Sequence, residues 1–159
     1  MRSLLGAPTP AQRLVGYWAG LGCTLAPAVS SQQIAEFERR DHIRLPSDLR
    51  EYVSLCNGLS HDAGGQWDRD DLGLIEFWPL DRWSVLREPL PDHLGLSTSY
   101  FMFADFLLSS HEYGIRLTDD PGDSGSVIAY GGPAAVVAPS FSAFIAAYLE
   151  EPDRVLSPW

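Results

Sequence analysis

Lysine is absent: all eleven basic residues are arginines, against twenty-one aspartates and glutamates, for a formal net charge of −10. A nucleic-acid binder needs a basic face to neutralise phosphates, so this balance argues against that class, and against anionic membranes too. It also removes the phosphate-binding loop, whose motif requires a lysine. Cysteine is scarce. Cys23 and Cys56 lie far apart, with no CxxC spacing and no histidine cluster beside them, so neither a zinc site nor a disulfide framework is written here. Both read as reduced core thiols of a cytoplasmic protein. No run is long and apolar enough to span a bilayer. The stretch from Val15 to Leu25, between Arg2 and Ala26-Pro27-Ala28, imitates an export signal. Pro8 and Pro10 ahead of it, and Gly16, Gly20 and Gly22 within it, speak against that reading. Repeats and low-complexity segments are also lacking.

What is present is a core. Apolar residues make up 45% of the 159, with five tryptophans, enough for one domain around a single interior. The chain is organised around Leu45 to Gly58. Pro46 suits a first helical turn, and Ser47 and Asp48 bring acceptors and negative charge to the helix N-terminus. Leu49, Tyr52, Val53 and Cys56 fall at i, i+3, i+4 and i+7, one apolar face. Asn57-Gly58 is expected to end the helix in a left-handed cap. Earlier, Thr9-Pro10-Ala11-Gln12 reads as a capping box ahead of a helix with Leu14, Tyr17, Trp18 and Leu21 on one side. Ala26-Pro27 is a linker. Ser30 with Gln33 makes a second capping box, for a helix that buries Ile34 and Phe37 and ends near Asp41.

After His61 to Asp71, a polar loop with Gly64-Gly65, the pattern turns to strands. They are Leu72–Trp78, Tyr100–Asp105 and His111–Thr118, the last with Tyr113, Ile115 and Leu117 to one side. Leu80 to Leu86 reads as a helical turn and Pro89 to Pro91 as loop. Asp119 to Gly125 is a tight acidic turn, and Val127–Tyr130 and Ala134–Ala138 form a hairpin through Gly131-Gly132-Pro133. Ser140 then opens a last helix with Phe141, Phe144, Ile145, Tyr148 and Leu149 on one face, stopping before Pro152. Helices, then strands, then a helix make a single α+β domain: N-terminal helices, a central antiparallel-rich mixed sheet, and a C-terminal helix packed on it. Residues 1–27 form an extension with one helix, and residues 28–159 the domain it joins.

No catalytic constellation is spelled out. Gly122-Asp123-Ser124-Gly125 looks like a serine-protease nucleophile loop, but no histidine stands in a matching context, and a turn between strands is the better reading. Asp119, Asp120 and Asp123 could hold a hard cation, yet the spacing of a calcium loop and its closing glutamate are missing. His61-Asp62 and His111-Glu112 are adjacent pairs, and His42 and His93 stand alone, so none defines a base with its orienting carboxylate. Trp78, Trp83 and Phe101 are expected in the core.

In this order the pieces resemble the SUKH superfamily of bacterial toxin-immunity proteins and fungal cell-wall synthesis regulators. The residues that carry the resemblance are Ile34, Phe37 and Glu38; Leu45-Pro46, Leu49, Tyr52 and Asn57-Gly58; and Glu76-Phe77-Trp78-Pro79-Leu80. Phe103-Ala104-Asp105, Ser126-Val127, Pro139-Ser140-Phe141 and Phe144-Ile145 complete the pattern, over roughly residues 28 to 150. The long N-terminal extension and the Pro-Gly-rich acidic turn depart from it. The resemblance implies a non-enzymatic protein-binding domain without cofactor or metal, typically one that neutralises a cognate toxin. The alternative it leaves open is an adaptor that binds a cellular protein without inhibiting it. The expected contacts for a basic partner surface are the acids placed in turns: Asp68, Asp70 and Asp71, with Asp119, Asp120 and Asp123.

Overall fold

The computed structural model describes residues 6–60, 75–106 and 110–159. Three helices come first: α1 (Pro10–Gly20), α2 (Ser31–Asp41) and α3 (Ser47–Leu55). Both expected capping boxes are formed. Thr9 Oγ1 accepts from Gln12 N–H while Gln12 Oε1 accepts from Thr9 N–H, and Ser30 and Gln33 do the same for α2. These exchanges satisfy N-terminal amides that the helix itself leaves orphaned. The face of α1 is rotated from the expected one. Ala11, Leu14 and Trp18 are buried, whereas Tyr17 is 41% exposed and lays its ring edge-on to Tyr148 at 6.0 Å.

The sheet is built of β1 (Ile75–Phe77), β2 (Ser84–Val85), β3 (Tyr100–Phe106), β4 (His111–Arg116), β5 (Val127–Tyr130) and β6 (Ala134–Ala138). Its order is β1-β3-β4-β5-β6, with β2 also on β3. Every pairing among the described strands is antiparallel, so the expected antiparallel-rich mixed sheet is antiparallel throughout them: β2 to β6 run as consecutive hairpins and β1 also pairs with β3. The expected helical turn at Leu80 to Leu86 is a single 3₁₀ turn, Leu80–Arg82, followed by the strand β2. The helix expected last, α4 (Phe141–Glu150), is capped by Ser140 and followed by α5 (Asp153–Leu156), a short helix that the prolines of the tail conceal in the sequence.

The core is aromatic. Phe77 lies 5.0 Å from Trp18, 5.6 Å from Phe103 and 5.7 Å from Tyr52, ring centre to ring centre. Phe144 of α4 stands over Phe103 and Tyr113 at 5.8 and 5.1 Å. Trp78, Trp83 and Phe101 are buried as the sequence implies, with Phe37 of α2 against Trp83 and Phe101. Each such side chain contributes about 1.5–3 kcal/mol of burial, and edge-on ring pairs add about 0.5–1.5 kcal/mol. The packing brings α1 onto α3 and α4, so the extension shares the core of the domain.

Candidate protein-binding surfaces

Several polar residues of the α2–α3–β1 region are used inside the molecule. Glu38 Oε1 accepts from Leu45 N–H at 2.9 Å and also binds the Arg50 guanidinium, which ties the end of α2 to the start of α3. Pro46 stands just before α3, as its N-cap, and offers no side-chain acceptor. Asp48 takes over: Oδ1 accepts from Leu49 N–H, and Oδ2 from Ser142 N–H at 2.8 Å, so one carboxylate caps α4 from across the fold. Leu49, Tyr52, Val53 and Cys56 are all buried, as their spacing implies.

The end of α3 differs from the expected glycine cap. The helix closes at Leu55 with Cys56 extended (φ −158°), and the left-handed residue, Gly58 (φ +80°), comes later. Its purpose is close approach, because a Cβ there would lie 2.4 Å from the Phe77 carbonyl oxygen. Asn57 Oδ1 accepts from Leu80 N–H at 2.7 Å, and Ala26, expected as a free linker, exchanges backbone bonds with Asn57 and Gly58. Asp105, buried, accepts from Trp78 Nε1 at 3.2 Å. Glu38, Asn57, Gly58 and Asp105 are therefore joints between elements.

Among the described residues the titratable groups do not converge on one site. Burial pushes the Tyr52 hydroxyl well up, with Cys56 beside it adding to the shift, and burial raises the Cys56 thiol. That thiol stays protonated and inert. Burial lowers His111, which bonds Tyr113 Oη at 2.9 Å while Tyr113 donates to the Val155 carbonyl at 2.7 Å. The single Tyr113 proton is thereby committed, so His111 Nε2 is the donor to its oxygen. Burial, with the neighbouring Asp105 charge, raises Glu112, and Arg82 opposes this. Ser124 accepts from Thr118 N–H and donates to the Asp120 carbonyl, so its hydroxyl locks the turn between β4 and β5. Among the described residues, no group of three or more His, Cys, Asp or Glu side chains could hold a metal ion.

Of the expected partner contacts, Asp68, Asp70 and Asp71 lie outside the described residues. Asp119, Asp120 and Asp123 come together around the exposed 3₁₀ turn Pro121–Asp123. Asp120 Oδ1 is held by Gly122 N–H at 2.8 Å, and Asp123 pairs with Arg116 at 3.1 Å. Asp119 makes no ion pair or side-chain hydrogen bond with any described residue. A second surface feature, which the sequence does not mark, is a groove of about 470 Å³ beside α2. Val29, Phe37 and Leu80 floor it, and Gln33, Arg39 and Asp81 stand at its rim. Phe37 and Leu80 are apolar positions with core periodicity, so pattern alone reads them as interior.

Among the described residues no helix is long and apolar enough to cross a membrane. No curated protein matches the chain by sequence. The family model of the SMI1 / KNR4 family (SUKH-1) matches residues 28–147, a span running from the approach to α2 to the middle of α4 and holding every joint just described. The chain belongs to the SMI1 / KNR4 family (SUKH-1).

Proposed function

We propose that the protein is an immunity-type binder that holds a cognate bacterial toxin domain and blocks it, without chemistry of its own. Family membership over residues 28–147 carries this reading. The fate of the family's motif residues supports it, since Glu38, Asn57 and Asp105 serve internal joints. The surface proposed for a basic partner is the set Asp68, Asp70, Asp71, Asp119, Asp120 and Asp123, acting in the cytoplasm.

The test is to search the neighbouring genes for a toxin domain, whose absence would favour the adaptor, and to co-express the protein with any that is found. Restored growth and a stoichiometric complex on size exclusion are the expected results. A stable complex whose partner stays fully active would mark an adaptor. Failure to bind or rescue, with both proteins folded, would overturn the proposal.

A further inference from the structure

Asn57 is the sole asparagine of the chain, and a glycine follows it. Asparagine is thermolabile, most of all before glycine, which has no side chain to hinder attack by its own amide nitrogen. The reaction needs no enzyme. Gly58 N bonds to Asn57 Cγ, the amide proton passes through a base to the departing nitrogen, and that nitrogen leaves as ammonia. Water then opens the resulting succinimide at one of its two carbonyls. One opening gives an ordinary aspartate. The other gives an isoaspartate, whose main chain runs through the former side chain and is longer by one methylene.

The joint at the end of α3 opposes this reaction in two ways. The first is geometric. Asn57 Oδ1 accepts from Leu80 N–H at 2.7 Å, which fixes the side-chain carbonyl that has to swing onto Gly58 N. Asn57 N–H donates to the Ala26 carbonyl at 3.2 Å, Gly58 C=O accepts from Ala26 N–H at 3.0 Å, and Leu59 N–H donates to the Phe77 carbonyl at 3.1 Å. Ring closure turns the peptide plane between Asn57 and Gly58, so it works against bonds that pin both of its ends. The second is chemical. Gly58 is buried, and the side chains facing its amide are the Tyr52 hydroxyl and the Cys56 thiol. Burial keeps both protonated at neutral pH, so neither serves as the base.

We propose that Asn57 is a self-modification site that the fold keeps shut and that opening of this joint exposes. The isoaspartyl outcome is one-way. The extra methylene would enter between Asn57 N–H and Gly58 C=O, where the chain has no slack: even a Cβ on Gly58 would lie 2.4 Å from the Phe77 carbonyl oxygen. The lengthened chain therefore cannot restore the Ala26 and Leu80 bonds together. A chain modified while open leaves the folding equilibrium, and the working life of the protein is set by how often the joint opens.

The test incubates the folded full chain beside the full chain in denaturant, at one mildly alkaline pH and one temperature. Peptide mapping by mass spectrometry follows the amide-to-acid mass gain at Asn57, and electron-transfer fragmentation identifies the isoaspartyl form. Conversion in the folded chain should be at least tenfold slower. Leu49→Ala, which opens the joint more often, should narrow that gap while leaving the rate in denaturant unchanged. The purified isoaspartyl product should fail to regain the native melting curve, whereas Asn57→Asp, which keeps an acceptor for Leu80 N–H, should refold. Equal conversion in the folded and the denatured chain would overturn the closed site. An isoaspartyl product that refolds with the wild-type midpoint would overturn the one-way step.

Discussion

Glu38 and Asp119 are both carboxylates near the surface of one acidic chain, and they sit in opposite circumstances. Glu38 is held by the Leu45 amide and the Arg50 guanidinium, where α2 hands the chain to α3. Asp119 precedes a 3₁₀ turn, exposed and joined by no ion pair to a described residue. The same contrast separates the two regions around them. The α2–α3–β1 joint uses its polar atoms internally and packs Leu49, Tyr52 and Phe77 against the aromatic core. The β4–β5 turn leaves its carboxylates facing outward. A charge tied into a joint specifies structure, whereas one left in a turn is free to meet a partner.

The contrast breaks most severely if the joint tolerates truncation. Leu49 is fully buried, and Leu49→Ala should cost about 2–5 kcal/mol in denaturant unfolding. An unchanged midpoint would mean that α3 does not face the core. Gly58→Ala should cost about 3 kcal/mol, because a left-handed non-glycine residue is strained by roughly 1–3 kcal/mol and the added Cβ meets the Phe77 carbonyl. Tolerance within about 0.5 kcal/mol would refute the close approach. Glu38→Ala, which leaves the Leu45 amide without its acceptor, should cost about 1–3 kcal/mol. Equal stability of Glu38→Ala and wild type would place Glu38 with Asp119, and the comparison would fail.

The joint was the legible half, for a physical reason. Capping boxes, the i, i+3, i+4, i+7 face and the hairpin at Gly131-Gly132 are local patterns, written within a dozen residues. Gly58 was visible as a special residue, but its purpose depends on a strand that arrives at Phe77. The bond from Asp48 to Ser142 spans 94 residues, and no window of sequence contains it. The same holds for His111, beside a glutamate in the chain yet engaged with Tyr113, which donates to Val155 of α5. The groove beside α2 escaped because its floor is apolar and reads as core.

Acid should test the β4–α5 contact without disturbing the joint. Burial holds the His111 pKa below its ordinary value, so the folded state prefers the neutral ring. The resulting stability is present above the unfolded value near 6.5 and is lost as pH falls through the folded one. The midpoint of thermal unfolding should therefore fall between about pH 6.5 and pH 5, a range set by the ordinary histidine value. His111→Gln should flatten this segment of the profile, and a parallel profile would assign the loss to other groups. The His111 ring lies 5.4 Å from that of Trp159, so the indole emission of the tail should change over the same range.

The smallest effect on stability is expected at the acidic turn, where the largest effect on association is expected. Asp119→Asn removes one exposed charge and should leave unfolding within about 0.5 kcal/mol of wild type. Asp123→Asn gives up the pair with Arg116, an exposed contact that contributes about 0–1 kcal/mol at most. With the toxin domain in hand, the triple change Asp119→Asn, Asp120→Asn and Asp123→Asn should slow association at low salt and reduce its dependence on ionic strength. Attraction between separated charges acts before contact and is screened as the Debye length falls from about 10 Å at 0.1 M to about 3 Å at 1 M. The dissociation rate should move much less, because rim charges steer encounter more than they hold the complex. The same measurement on Asp68→Asn, Asp70→Asn and Asp71→Asn apportions the steering between the two sets. If neither set alters the association rate or its salt slope, the acids maintain solubility only, and recognition passes to an apolar or aromatic surface.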